Sequence, residues 1–308
     1  MPPIHDHLIN IVPMLADTDN IPIESLAGTH LFDTKLDGVR ALAAWDGNLL
    51  TLRNRNRRVM DNYLDLELAA VGIPGPIILD GEIITESGKF QDIAWRDKQR
   101  GPKAIKAMQQ MPVNYIAFDI LWHPDHGDIR HQPYSVRREL LIGLRLSQHS
   151  ARFDHSTASI DPKFYDAIRA MGGEGVVAKR LSAAYSPGRR PAWLKYKAAF
   201  TVTCVGTGYE PGNGARKEFG AMHLGMIAED GSLVPMGKVG SGFTLPETLA
   251  MKATFDNAKS AADLPIVEIQ CFNRTRDGKL RMPVYLGQRS DQTLTDCSVK
   301  QLQNLPET

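Results

Sequence analysis

Cysteine is scarce, with Cys204, Cys271 and Cys297 the only three in 308 residues. No two have the spacing of metal ligands, and an odd number cannot pair fully, so reduced thiols are the simplest account. The N-terminus lacks a basic segment followed by an apolar run, so no signal peptide is expected. No apolar run approaches the roughly 20 residues that span a bilayer, so no membrane partner is expected either. An excess of one charge is also missing: 36 Lys and Arg face 35 Asp and Glu, for a net charge of +1. Any binding of nucleic acid must therefore come from local basic patches. The apolar fraction of 43% suffices for buried cores. The length suggests about two domains, in a cytoplasmic protein.

Against these absences stands the stretch Thr34-Lys35-Leu36-Asp37-Gly38-Val39-Arg40. Apolar runs flank it, His30 to Asp33 before and Ala41 to Trp45 after. Asp-Gly between such runs predicts strand, tight turn, strand, a hairpin with Lys35 at the rim of a sheet. A lysine is a nucleophile only when neutral, which requires burial or neighbouring cations. Taken alone, the stretch fits an exposed hairpin lysine equally well.

Further segments follow in order: Leu79-Asp80-Gly81-Glu82-Ile83, Tyr115-Ile116-Ala117-Phe118-Asp119, Glu174-Gly175-Val176-Val177-Ala178-Lys179 and Trp193-Leu194-Lys195-Tyr196-Lys197. With Lys35-x-Asp37-Gly38-x-Arg40, they resemble the signatures of the covalent nucleotidyltransferases: DNA ligases, RNA ligases and mRNA capping enzymes. The run from Glu174 to Lys197 looks especially like the ligase modules of bacterial end-joining systems. The resemblance implies an α+β chain, with an antiparallel-sheet, ATP-grasp-like nucleotidyltransferase domain over residues 1–198 and a β-barrel OB-fold domain over 199–308.

The resemblance also implies roles. Lys35 would attack ATP to give lysyl-AMP, and AMP would pass to the 5′-phosphate of a nick in double-stranded DNA. Mg²⁺ would be held near Glu82 and Glu174. Nucleotide contacts would come from Asp33, Arg40, Arg55, Glu82, Phe118, Lys179, Arg190, Lys195 and Lys197. Phe118 would stack on the purine, which gives affinity without reading the base edge. Lys195 and Lys197, on one side of a strand, would contact the α-phosphate. Arg55 falls on the arginine of a Ser-Arg-Asn-Gly-like element, which implies contact with the nucleotide or with the nick 5′-phosphate; the chain departs from that element at Asn54 and Arg57. Near the C-terminus, Arg289 and Asp291 match the final ligase signature, while Gln292 replaces its lysine. A monomer is expected, with repair or end-joining proteins as partners. An RNA ligase or capping enzyme is the alternative within the same chemistry. A catalytically silent OB-fold nucleic-acid-binding protein is the alternative outside it.

Elsewhere the pattern predicts helices over 61–70, most of 88–112, 161–171 and 246–260. The second of these would carry a basic face with Arg96, Lys98, Arg100, Lys103 and Lys106, a solvated face by default and a duplex-backbone contact as the sharper alternative. A helix beginning near Tyr134 would be capped by Ser135, with Arg138 and Glu139 exposed. His123-Pro124-Asp125-His126-Gly127 reads as a polar turn rather than a metal site.

Overall fold

The computed structural model describes residues 4–18, 21–88, 90–213 and 217–305. The chain divides into two compact units, Met1–Lys197 and Ala198–Thr308. Antiparallel pairing dominates both, with helices packed around the sheets.

The strands of the first unit are β1 (Met14–Asp17), β2 (His30–Thr34), β3 (Val39–Trp45), β4 (Leu50–Asn54), β5 (Ile77–Thr85), β6 (Val113–His123), β7 (Gly127–Asp128), β8 (Phe153–His155), β9 (Ala158–Ser159), β10 (Gly175–Arg180) and β11 (Gly188–Lys197). Among the described residues they form two sheets. One runs β1-β11-β10-β2-β9 and the other β4-β3-β5-β6-β7, with β8 beside β6. The apolar runs of β3, β5 and β6 are buried because both faces of the second sheet are covered. One face packs on helices through Leu66, Ile93 and Leu141, with Phe153 in the same core. The other meets the first sheet through Leu42, Ala44, Ile78 and Leu121 against Met14, Tyr185 and Trp193. Full burial of each large side chain of this kind stabilises the fold by about 1.5–3 kcal/mol.

This arrangement corrects the expected hairpin. β2 and β3 do not pair, because they belong to different sheets, and the Lys35–Gly38 loop crosses between them. Gly38 does not supply a left-handed turn, since its φ is not positive. It is small because β5 runs against it. A Cβ there would collide with the carbonyl oxygen of Ile83 and come within 2.7 Å of the Glu82 side chain. The Asp-Gly pair therefore marks a close backbone approach, which a single sequence does not distinguish from a tight turn.

The helix expected over 61–70 is Leu64–Ala69, and the 88–112 stretch forms Phe90–Asp97 and Pro102–Gln110. Arg96 does not belong to a solvated face: it is buried, donating to Asp65 Oδ1 at 2.9 Å and to the Asn62 carbonyl at 2.7 Å. Ser135 is no cap. It lies inside the helix Tyr134–Gly143, and its backbone N–H donates to the Leu181 carbonyl. Arg138 of that helix is buried rather than exposed.

In the second unit β12 (Phe200–Glu210), β13 (Ala221–Ile227), β14 (Leu233–Val239), β15 (Ile266–Cys271) and β16 (Val284–Gln288) make an antiparallel sheet in the order β14-β13-β12-β15-β16. The helix Leu245–Asn257 matches the expected 246–260 stretch. The Glu247 carboxylate accepts the Thr244 backbone N–H at 2.7 Å ahead of it. All three cysteines are buried, free thiols. No helix among the described residues is long and apolar enough to cross a membrane.

Candidate active site

A cavity of about 410 Å³ opens between the two sheets of the first unit. Its walls include Leu15 and Ala16 of β1, Asp33 of β2, Lys35 and Arg40, Arg55 after β4, Glu82 of β5, Phe118 of β6, Lys179 of β10 and Trp193 of β11. Five separated sequence motifs thus converge on one space.

Lys35 is held from both ends. Its backbone N–H donates to the Gly175 carbonyl at 2.9 Å, which fastens the crossing loop to the start of β10. Gly175 has a φ of +123, a conformation open to glycine, and this bend sets Glu174 beside the loop. The Glu174 carboxylate lies 2.5 Å from Lys35 Nζ and 3.9 Å from Lys197 Nζ. Burial pushes the Glu174 carboxyl above its ordinary value, and attraction to Lys35 only partly offsets it. Lys195 and Lys197 sit opposite Val177 and Gly175 in the β10–β11 register. Desolvation, then Arg189, Lys197 and Lys35, hold the Lys195 ammonium below its ordinary value.

The inner wall is a buried polar lattice. Lys179 Nζ donates to Asp33 Oδ2 at 2.7 Å and to the Phe118 carbonyl at 2.9 Å. It also lies 4.4 Å from the Phe118 ring centroid and 4.6 Å from that of Trp193. Tyr134 Oη adds a bond to Asp33 Oδ2 at 3.2 Å. Burial lowers the Lys179 ammonium against the pull of Asp33. Phe118 meets Trp193 edge to face at 6.0 Å, so the aromatic wall has a fixed orientation. Two atoms at this wall are buried without a hydrogen-bond partner: Asp33 Oδ1, an acceptor, and Trp193 Nε1, a donor.

Arg40 is set by Asp80, with bonds of 2.9 and 2.6 Å to the two carboxylate oxygens. Asp80 Oδ2 also accepts from Tyr185 Oη at 2.6 Å. Burial opposes the charge on Arg40, yet Asp80, Tyr185 and Glu82 hold it above its ordinary range. Glu82 is pushed up to about 8, by burial first, with Arg40 and Lys35 pulling the other way. Glu82 and Glu174 both feel the charge of Lys35. No trio of His, Cys, Asp or Glu among the described residues is placed to hold a metal ion alone. Two hard oxygen donors nevertheless suit Mg²⁺, which typically takes one or two carboxylates and fills its remaining positions with water and substrate phosphates.

Other expected residues do not belong to the buried inner wall. Arg55 lines the cavity but is exposed. Arg190 is exposed on β11 and does not line it. In the second unit Arg289 forms a two-bond pair with Asp291, at 2.9 and 2.8 Å, and reaches Glu268 at 3.1 Å. Gln292 Oε1 is buried without a partner. Sequence reading missed Asp80, Tyr134, Tyr185 and Asp119 with its partner Arg137. The Arg137–Asp119 pair has two 2.8 Å bonds and no exposure on either side chain. Their one visible signal was carboxylates inside apolar strands, which must find partners when buried.

Lys35, Arg40, Glu82, Phe118, Lys179 and Trp193 thus line one cavity, with Glu174 against Lys35 at its edge. The chain belongs to the ATP-dependent DNA ligase domain family, which it matches over residues 13–197, more than half its length. It is 31% identical to the multifunctional non-homologous end joining protein LigD of Mycolicibacterium smegmatis, over 92% of this chain and 39% of that protein. It is 34% identical to a probable DNA ligase of Streptomyces avermitilis, over 76% of this chain and 48% of the relative. The chain thus spans less than half the length of these two relatives. Among solved structures, a mycobacterial DNA ligase D complexed with ATP and MES matches with a TM-score of 0.55 and 26% identity, covering 94% of this chain and 98% of that one.

Proposed function

We propose that the protein is an ATP-dependent DNA ligase. The observation that carries this reading is Lys35 Nζ at the cavity wall, 2.5 Å from a Glu174 carboxylate that lies 3.9 Å from Lys197 Nζ, with Lys195 two residues before Lys197 on β11. In the first step the Lys35 nitrogen attacks the α-phosphorus of ATP. An N–P bond forms, the P–O bond to pyrophosphate breaks, and Nζ gives up a proton. Glu174 Oε1 is the nearest acceptor for that proton. AMP then passes to the 5′-phosphate of a nick, which frees Lys35. The 3′-hydroxyl attacks that phosphate, AMP departs and the strand is closed.

The cavity residues support a purine nucleotide. Phe118 offers a stacking face, and the unpaired Asp33 Oδ1 is an acceptor suited to the exocyclic amine of adenine. Glu82 and Glu174 would hold Mg²⁺, which supplies neutralising charge to the phosphate oxygens. Arg40, Arg55 and Lys179 add cationic or hydrogen-bonding contacts, and the exposed Arg190 and the Arg289–Asp291 pair are proposed phosphate-binding elements. We read residues 1–198 as an ATP-grasp-like nucleotidyltransferase domain and 199–308 as an OB-fold domain. With nicked DNA as its substrate, we further propose a cytoplasmic monomer that works alongside repair or end-joining proteins.

The test is intact-mass analysis after incubation with ATP or GTP and Mg²⁺, followed by sealing assays on nicked DNA and nicked RNA. An AMP adduct with DNA sealing supports the reading. A GMP adduct, or RNA sealing alone, would replace it with a capping or RNA-joining activity.

A further inference from the structure

Arg57 has a φ of +64, in the left-handed region. That region is disfavoured for residues bearing a Cβ, and glycine is its usual occupant. The surrounding turn fixes the backbone there. The Arg57 N–H donates to the Asn54 carbonyl at 2.8 Å, and the Asn54 N–H donates to the Arg58 carbonyl at 3.0 Å. Asn54 Oδ1 accepts the N–H groups of Asn56 at 2.9 Å and Arg58 at 3.1 Å. Glycine would fit this turn without strain.

The Arg57 side chain does nothing for the fold. It is exposed, and its guanidinium makes no hydrogen bond or ion pair with any described residue. The backbone of Arg57 alone is engaged, the N–H donating to Asn54 and the carbonyl accepting from Arg53 at 3.3 Å. The turn is also of one sign: Arg53, Arg55, Arg57 and Arg58 follow one another with no acid between them. Asn54 and Arg55 line the cavity, so the turn stands at its rim. A strained cation without a protein partner among the described residues, on a turn at the cavity rim, is arranged for an external anion.

We propose that Arg57 contacts a backbone phosphate of duplex DNA next to the nick. Guanidinium suits this because its planar fork meets two phosphate oxygens at once. Such a contact sets the position of the duplex and reads no sequence. The inference rests on the DNA-joining reading above. It differs from a contact to the nucleotide, because the first half-reaction requires no DNA.

The test compares wild type, Arg57→Gly and Arg57→Lys. It measures binding of a nicked duplex by anisotropy across a salt titration, Lys35 adduct formation by intact mass, and thermal unfolding. Arg57→Gly is expected to unfold at the same temperature or higher and to form the adduct at an unchanged rate. It should bind nicked DNA about tenfold more weakly, with the log–log salt slope reduced by about 1. Arg57→Lys should recover much of the affinity, since it keeps both the charge and the strain. Unchanged affinity and slope in Arg57→Gly would overturn the inference. Loss of the adduct would also overturn it, by placing the guanidinium on the nucleotide. A lower unfolding temperature with an unchanged slope would assign Arg57 to structure. If wild type forms the adduct but neither binds nor seals nicked DNA, the DNA-joining reading itself fails, and this inference fails with it.

Discussion

Lys35 Nζ lies 2.5 Å from Glu174 Oε1, with one partner on the crossing loop and the other just ahead of β10, distant in sequence. The contact joins the proposed nucleophile to a carboxylate whose burial raises its proton affinity. Glu174→Gln keeps the shape and removes the charge. It should slow both Lys35 adenylylation and sealing of a pre-adenylylated nick by about 10²-fold or more. Single-turnover assays of each step check this, and normal sealing across a Mg²⁺ titration would assign Glu174 to structure.

Asp33 and Lys179 are 1% and 2% exposed, so their ion pair is shielded from solvent. Removing one partner of such a pair strands the other charge and typically costs about 3–5 kcal/mol. Asp33→Ala should therefore destabilise the fold by that order, read by urea unfolding. A loss below about 1 kcal/mol would mean that water reaches the pair.

Phe118 gives the cavity its aromatic wall, flanked by Trp193 and the Lys179 ammonium. Phe118→Ala removes stacking but leaves Lys35 and its phosphate-side cations in place. The KM for ATP should rise about tenfold or more, with a smaller change in kcat. Equal loss in kcat with KM unchanged would contradict a stacking role.

His30 is buried at the start of β2, and burial first, then Arg180, lowers its pKa below the ordinary 6.5. The folded state therefore keeps His30 neutral where the unfolded chain begins to bind a proton. This contribution to stability is present above pH 6.5 and is lost as pH falls through the lowered folded pKa. Between pH 7.5 and 5.5, wild type should lose more Tm than His30→Gln. Parallel Tm curves for the two proteins would show that His30 is protonated equally in both states.

Much of the site was legible in the sequence because its residues stand in short contiguous motifs. Lys35, Arg40, Glu82, Phe118 and Lys179 all reach the cavity. What stayed hidden was pairing across long separations. Asp80 meets Tyr185, and Asp119 meets Arg137, through contacts that no local periodicity encodes. The same blindness turned the Lys35 loop into a hairpin, since Asp-Gly signals a tight turn and a close strand crossing alike. Arg96 and Arg138 looked solvated because charge on a helix is usually exposed, whereas here each has a partner reaching it from another element.

The central claim is that Lys35 carries the nucleotide. Intact-mass analysis with peptide mapping after ATP and Mg²⁺ tests it most directly, using wild type, Lys35→Ala and Lys35→Arg. The account predicts one AMP adduct on the Lys35 peptide of wild type and none in either variant, because guanidinium stays protonated and is a poor nucleophile. An adduct of undiminished yield in Lys35→Ala, or one mapped to another residue, would contradict it.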